Sequence, residues 1–155
     1  MKEYEIVVAR VRNARETITL LRDQAKSERA NNEHRNLVNL VADRVRQAGA
    51  VPKSNQFVDL AAFVDERAFI FEMKSINADN ARSQIRSGLS QLYEYRYLQN
   101  ISEAILVLVV SKALPKAEAW MLDYIEQDRK IRLLWDGNDQ LFGSQETRKE
   151  LAFLW

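Results

Sequence analysis

The sequence predicts an α/β sandwich in which a central mixed β-sheet is flanked by helices. Two segments rich in aromatic and aliphatic residues, separated by a short charged turn, are typical of a β-hairpin. The continuous apolar run AILVLVV at 104–110 is typical of a strand that is buried on both faces. Segments with helical spacing lie before, between and after these strands. Helices interspersed with strands in this way cover the faces of one sheet.

Length and composition are those of one ordinary globular domain. The chain has 155 residues, of which 46% are hydrophobic and 29% are charged, and this balance excludes a disordered or fibrous protein. Its 23 basic and 22 acidic residues leave a net charge of +1, so the overall charge indicates no partner. The absence of cysteine excludes disulfides and thiolate metal sites, and a single histidine argues against a histidine-based zinc site.

No segment of the sequence predicts a membrane span or a secretion signal. The longest apolar run is too short to cross a bilayer. The N-terminus, MKEYEIVVARVRN, is charged throughout and lacks the apolar stretch of a signal peptide. We therefore expect a cytoplasmic protein with no membrane partner.

The N-terminal part of the chain is predicted to be mainly helical. Residues 4–11 are compatible with a short strand or with the start of a helix, and residues 13–27 with a mildly amphipathic helix. We expect residues 1–30 to form a helical extension or arm and residues 31–155 to form the folded domain.

A firmer helix is predicted over the segment NNEHRNLVNLVADRVRQAG. Asn31 or Asn32 suits its N-cap, and Gly49 suits its C-terminal end. His34 is expected to be a solvent-exposed or capping residue. The predicted buried stripe consists of Leu37, Leu40, Val41, Val45 and Ala48.

The rest of the chain alternates between strands and helices. QFVDLAAFV and AFIFEMK form the predicted hairpin, with DER as its turn. The predicted elements are strands at 56–64 and 68–74, a helix at 79–99, a strand at 102–111, a helix at 116–128 and a last strand at 131–136. This order places helices beside a mixed sheet.

The hairpin brings two acidic residues together. If its turn has two or four residues, Asp59 lies opposite Glu72, with β-carbons roughly 4.5–5.5 Å apart; a three-residue turn would place them on opposite faces. Their neighbours are apolar, so either one acid takes up a proton or a cation lies between them. A hard divalent ion suits two carboxylates. Without it, Asp59→Asn is expected to stabilise the protein by relieving repulsion. Lys74 projects to the same side as Glu72.

These residues resemble the PD-(D/E)XK nuclease superfamily, which places an aspartate on one strand and Glu-x-Lys on the next, around a catalytic Mg²⁺. The matching residues are VD at 58–59 and EMK at 72–74, and Val58 replaces the usual proline. The segment SGLSQLYEYRY resembles the Gln-x-x-x-Tyr helix of RecB-like members, with Gln91 and Tyr95 in the matching positions. The resemblance covers roughly residues 31–111 and implies a restriction-endonuclease-like α/β/α fold.

The resemblance implies a metal-dependent nuclease with Mg²⁺ or Mn²⁺ as its cofactor. The groups that would hold the metal are Asp59, Glu72, the backbone carbonyl of Met73 and, in support, Glu33. Lys74 would orient the attacking water or offset charge on the phosphate, and Gln91 would hold Lys74 or that water in place. The expected substrate is nucleic acid, and DNA before RNA.

Contacts to the substrate are expected from cationic and aromatic side chains. Arg82, Arg86 and Tyr95 are the candidates on the helix, and Lys53 precedes the hairpin. The same residues are compatible with a solvated surface and ordinary packing. Small nuclease cores often work as homodimers or within a larger complex, although no residue here identifies an assembly.

Three functions agree with the sequence. The first is a DNA endonuclease of a defence, restriction or repair system. The second is a catalytically silent nuclease-fold protein that binds nucleic acid or a protein partner. The third is an interaction domain in which the motif is accidental. Only the first predicts cleavage that a chelator abolishes.

Overall fold

The computed structural model describes the backbone and side chains of residues 25–155. For the residues before them it gives the bounds of one helix, which begins there and continues past residue 25. This helix, α1, spans Lys2–Gln47. Residues 4–11 lie within α1, so the helical alternative is confirmed for them and the strand alternative is wrong. The predicted apolar side chains of Ile18, Leu20 and Leu21 lie outside the described residues. Contacts within the chain divide it into two compact units, Met1–Asn32 and Glu33–Trp155, and the sheet belongs to the second.

The start of the predicted helix is wrong, whereas its end is confirmed. Asn31 and Asn32 are both helical and do not cap α1. The residues before them, SERA, contain no glycine or proline that would end a helix, so α1 continues through the asparagines. α1 ends at Gln47, and Gly49 adopts a φ of +84°, the left-handed conformation that commonly follows a helix.

Five strands form one mixed sheet. They are β1 Leu60–Val64, β2 Arg67–Lys74, β3 Ile105–Val110, β4 Arg132–Asp136 and β5 Leu141–Gly143, in the spatial order β1-β2-β3-β4-β5. β2, β3 and β4 run parallel, whereas β1 and β5 are antiparallel to their neighbours.

An apolar core lies on each face of this sheet. On one face, Leu37, Val41 and Val45 of α1 are buried as predicted, while Ala48 lies past the end of α1 and is exposed. On the other face packs α2, which spans Ala81–Leu98 and is close to its predicted bounds. The predicted α/β fold, a mixed sheet flanked by helices, is confirmed.

A two-residue turn joins β1 to β2. Asp65 and Glu66 both adopt left-handed φ values, 49° and 65°, as a type I′ hairpin turn requires. Val64 pairs with Arg67, which confirms the predicted register. The register matters because it decides which side chains of the two strands share a face.

The first strand of the hairpin is shorter than predicted and begins at Leu60 instead of residue 56. The side-chain oxygen of Asn55 accepts hydrogen bonds from the backbone N–H groups of Phe57 and Val58, each at 2.8 Å. An aspartate or asparagine that bonds its own backbone in this way forms a turn, which competes with a strand. Asp59 follows this turn and directly precedes β1.

The segment after β3 is less regular than predicted. The predicted continuous helix at 116–128 is wrong: a 3₁₀ turn spans Lys116–Glu118, α3 spans Met121–Asp123 and a π-helical turn spans Tyr124–Asp128. The π turn buries Glu126, whose carboxylate accepts hydrogen bonds from the backbone N–H of Leu133 and from two hydroxyl groups. These bonds satisfy a carboxylate that would otherwise be costly to bury.

β4 is not the last strand, in contrast to the prediction. β5 follows it, and α4 (Gln145–Glu150) and a 3₁₀ turn (Ala152–Leu154) follow β5. A three-residue strand is too short to give a periodic signal in the sequence. Along the described part of the chain, no helix is both long and apolar enough to cross a membrane.

Candidate active site

Glu72 and Lys74 lie on the sheet face that α2 covers, at the C-terminal end of β2. Alternate residues of a strand share one face, and Ile70 on that face belongs to the core beneath α2. Lys74 Nζ lies 3.3 Å from Glu72 Oε1. The Glu72 side chain is 4% exposed and that of Lys74 is 16% exposed, so both groups are largely withdrawn from water.

Asp59, which directly precedes β1, lies beside Glu72 of the neighbouring strand β2. When the register is continued by one residue beyond Leu60, Asp59 lies opposite Glu72. The Oδ2 atom of Asp59 accepts a hydrogen bond from the backbone N–H of Met73 and lies 3.0 Å from His34 Nε2. Burial alone would raise the pKa of Asp59, but the hydrogen bonds with His34 and Met73 hold it below its ordinary value. Asp59 is therefore the charged member of the two acids.

Glu72 is the member that retains a proton. Burial, followed by the charge of Asp59, raises the pKa of Glu72 to about 7, although the neighbouring Lys74 opposes the shift. Among the described residues, its buried Oε2 atom accepts no hydrogen bond. A buried carboxylate oxygen is costly unless a proton or a cation satisfies it.

His34 is part of the site, so its prediction as a solvent-exposed or capping residue is wrong. It lies half-buried on α1 and contacts Asp59. The hydrogen bond with Asp59 raises the pKa of His34 above 6.5, although burial acts in the opposite direction. The sequence contained a signal: His34 precedes the buried Leu37 and Val41 by one and two turns of helix, which places it on the buried face.

Glu33 is held by a residue of the loop after β2. The hydroxyl of Ser75 donates a hydrogen bond to Glu33 Oε2, and the backbone carbonyl of Ser75 accepts one from Gln84 of α2. Among residues 25–155, no group of three histidine, aspartate or glutamate side chains is placed to hold one metal ion. Glu33 therefore does not complete a three-acid site with Asp59 and Glu72.

The backbone of Met73 adds a third oxygen. Its N–H points to Asp59, and the carbonyl of a strand residue points to the same side as its N–H. β1 begins only at Leu60, which pairs with Phe71, so no residue of β1 pairs with Met73. Two carboxylates and one carbonyl fit a hard divalent ion that keeps several water ligands, as Mg²⁺ does. The unpartnered Oε2 of Glu72 is the atom that most favours this fit.

Gly88 lets α2 approach the sheet closely beside Lys74. A β-carbon at position 88 would lie 2.6 Å from Leu108 Cδ1 and 3.3 Å from Lys74 Cγ. The aliphatic part of Lys74 thus occupies space that any other residue at position 88 would fill. This contact fixes the lysine along the helix, with its ammonium group directed to Glu72.

Gln91 and Tyr95 bond to each other on the same helix. Gln91 Nε2 donates to Tyr95 Oη at 3.1 Å, and Ser87 Oγ donates to Gln91 Oε1 at 3.4 Å. Gln91 contacts these two residues and makes no hydrogen bond to Lys74. Burial and then the charges of Glu72 and Asp59 raise the pKa of Tyr95 above its ordinary value.

The other predicted substrate contacts lie in different surroundings. Arg82 covers the ring of Trp120 and donates two hydrogen bonds to Glu118, and this carboxylate engages its charge. Arg86 is exposed on α2. Lys53 is exposed, and its backbone forms an isolated bridge with Ala61 at the outer edge of β1. Their role in substrate binding stays a prediction.

Neither a protein-family model nor a curated protein matches the sequence. Among solved structures, the chain resembles a protein of the XisH family from Nostoc punctiforme PCC 73102, with a TM-score of 0.49 and 16% identity over 69% of this chain and 96% of that chain. It also resembles an fdxN element excision controlling factor protein from Anabaena variabilis, with a TM-score of 0.50 and 18% identity over 69% of this chain and 95% of that chain. At this identity the second likeness concerns the fold, and it agrees with the mixed α/β architecture.

Proposed function

We propose that the protein is a metal-dependent nuclease that hydrolyses phosphodiester bonds, and that its substrate is DNA. The observation that carries this proposal is the state of Glu72: a buried carboxyl group with an unpartnered oxygen, placed between Asp59 and Lys74. Perturbed carboxyl groups beside a specific cation are typical of catalytic sites. The order aspartate, then Glu-x-Lys, is the pattern that the PD-(D/E)XK resemblance requires.

The residues of the site divide into ligands and positioning groups. Asp59, Glu72 and the Met73 carbonyl would hold Mg²⁺ or Mn²⁺, which when bound polarises a phosphate and lowers the pKa of a coordinated water. Lys74 would place its positive charge beside the scissile phosphate. His34 holds Asp59 through its Nε2 atom.

Outer residues would support this arrangement. Glu33, held by Ser75, would contact waters of the metal instead of the metal itself. Gln91 would orient the Tyr95 hydroxyl, and Arg86 and Lys53 would contact the nucleic-acid backbone. The fold is shared with a protein named as an excision controlling factor. Control of excision is accordingly one setting for such a nuclease, beside defence, restriction and repair.

A catalytically silent nuclease-fold protein is the second candidate. The observation that favours it is the limited ligand set: within the described residues no third acid or histidine joins the two carboxylates at one ion. In that case the site would bind nucleic acid or a protein partner without cutting. The two candidates differ in whether a divalent ion produces cleavage.

The test is cleavage of plasmid, linear and single-stranded DNA with Mn²⁺, with Mg²⁺ and with a chelator. We expect cleavage that requires the metal, and Lys74→Ala should lower its rate by at least roughly a hundredfold, as loss of one such charge typically does. Lys112→Ala, which removes an exposed lysine after β3, is the matched control and should keep full activity. Absence of cleavage in the wild type, or full activity of Lys74→Ala, would refute the proposed role of this site.

A further inference from the structure

Cationic side chains gather around the exposed Trp155. Arg148 of α4 lies over the Trp155 ring, with its guanidinium carbon 5.1 Å from the ring centroid. Arg44 of α1 donates a hydrogen bond to the carbonyl of Leu154 at 3.1 Å, and Lys149 follows Arg148 on α4. We call Arg44, Arg148, Lys149 and Trp155 the C-terminal cationic patch.

The acids of α4 are directed away from this patch. Glu150 pairs with Arg67 at 2.9 Å and also with Arg132, and Glu146 lies 3.9 Å from Arg132. Glu146 and Glu150 are one helical turn apart and share a face of α4, whereas Arg148 and Lys149 occupy the remaining surface. In the described part of the chain, the three cations of the patch form no ion pair with a carboxylate.

The surface around the patch is concave. A cleft of about 480 Å³ is lined by Arg148, Lys149 and Trp155, and a second cleft of about 290 Å³ is lined by Arg44, Arg148 and Phe142. Trp155 also lines the second cleft, so the stacked arginine and tryptophan stand between the two. Trp155 is 41% exposed and Phe142 is 42% exposed. Two exposed aromatic rings among these cations suit a partner that offers planar groups for stacking and carries negative charge.

The patch lies on the face of the sheet opposite the candidate active site. Leu151 and Leu154, which flank it, belong to the core beneath α1. Glu72 and Lys74 project to the other face, toward α2. A nucleic-acid strand bound at the candidate active site therefore does not occupy the C-terminal cationic patch through those contacts.

We propose that the C-terminal cationic patch binds a single strand of nucleic acid. Aromatic rings that accept any base, combined with cations that follow the phosphates, are the usual surface for single strands. Trp155 presents its ring for base stacking, and Arg44, Arg148 and Lys149 lie where successive phosphates pass. This binding needs no metal and no cleavage, so it is independent of the proposed nuclease activity.

The experiment measures the affinity of a fluorescein-labelled 20-nucleotide single strand by fluorescence anisotropy, in EDTA and at several salt concentrations. The double variant Arg148→Ala/Lys149→Ala should weaken binding about tenfold and reduce the slope of log affinity against log salt by about 1.4, because two phosphates lose their cations. Arg129→Ala/Lys130→Ala is the matched control, because it also removes an adjacent arginine and lysine from the surface. It should change affinity less than twofold.

The tryptophan is tested by the same measurement. Trp155→Ala should weaken binding roughly fivefold to a hundredfold, the range for removal of one stacked ring. Trp120→Ala removes a ring of similar exposure (49%) on the α2 side and should have little effect. Lys149→Ala alone serves if another variant fails to fold, because its side chain makes no hydrogen bond or ion pair in the described structure. Circular dichroism checks the fold of each variant.

Several outcomes would overturn the proposal. Equal losses in both double variants would show that only overall charge matters. Unchanged affinity in Lys149→Ala and Trp155→Ala would remove the patch from binding, and polyglutamate competing as well as the oligonucleotide would identify a general polyanion surface. The Arg148→Ala/Lys149→Ala loss of affinity should persist in EDTA, where no cleavage occurs, and in a Lys74→Ala background, so failure of the patch and failure of the nuclease proposal give different results.

Discussion

Glu72 is the residue at which burial and charge conflict most strongly. Its side chain is 4% exposed, one of its oxygens accepts no hydrogen bond from the described residues, and the charge of Asp59 acts on it. A purely structural salt bridge between Glu72 and Lys74 would not explain why the second carboxyl oxygen of Glu72 is buried without a hydrogen bond. The conflict is resolved if this oxygen of Glu72 binds a proton in the metal-free protein and a cation in the active protein.

In metal-free buffer we expect the free energy of unfolding to fall as pH rises from about 4.5 to about 7. The unfolded chain releases the Glu72 proton near 4.5, whereas the folded chain retains it to about 7, so the native state binds more protons in this window. The shift corresponds to about 3 kcal/mol. Glu72→Gln should remove most of this dependence, as measured by urea unfolding at pH 5 and pH 8. Glu94→Gln, an exposed glutamate of α2, should preserve it; equal slopes for the two variants would contradict the assignment.

For Asp59 the structure reverses the expectation from the sequence. Facing acids suggest that Asp59→Asn relieves repulsion and stabilises the protein. At pH 6, however, Glu72 is largely protonated, so little repulsion exists to be relieved, whereas His34 and the Met73 N–H would lose a charged acceptor. We expect Asp59→Asn to lower the free energy of unfolding at pH 6 by about 1–3 kcal/mol. The pKa of His34, followed by NMR, should fall at the same time. A variant as stable as the wild type would show that these contacts contribute nothing.

At the scale of elements, the contact of α2 with β2 sets the position of Lys74. Gly88→Ala would favour the helix by about 1 kcal/mol but would overpack the contact with Leu108 and Lys74, at a cost of about 1–3 kcal/mol. We expect a net loss of stability in thermal unfolding and a clear loss of cleavage, because the ammonium group is displaced from Glu72. In the background Leu108→Val, which removes the nearest clash, stability should recover more than cleavage does. A Gly88→Ala protein more stable than the wild type and fully active would contradict this account of the glycine.

Elements with a strong local signal were predictable from the sequence, and elements determined by tertiary contacts were not. The run at 104–110 predicted β3 because every position in it is apolar. The hairpin register could be predicted only as conditional on the turn length, and the two-residue turn at Asp65 and Glu66 decides it. The π turn at Tyr124–Asp128 contains Glu126, which accepts hydrogen bonds from β4 and α4, and no local pattern reveals these contacts. His34 escaped prediction for a similar reason, since its partner Asp59 is distant in sequence.

At the scale of the whole molecule, the sheet separates two surfaces with different chemistry. One face carries the buried acids and Lys74 beneath α2, and the other carries the C-terminal cationic patch beside α1. The net charge of +1 does not reveal this division, because acidic and basic side chains are concentrated on different surfaces. The sequence could predict the first surface from a short motif, but the second depends on Arg44 meeting residues from the opposite end of the chain.

The central claim is that Asp59 and Glu72 together hold a divalent ion, and calorimetric titration with Mn²⁺ tests it most directly. At pH 7 we expect one ion per wild-type chain and release of about half a proton, because the pKa of Glu72 is about 7. Glu72→Gln and Asp59→Asn should each weaken binding at least roughly tenfold, the effect of losing one ligand or its support, while Glu94→Gln should bind as the wild type does. Undiminished Mn²⁺ binding by Glu72→Gln, or no binding by the wild type, would contradict the claim.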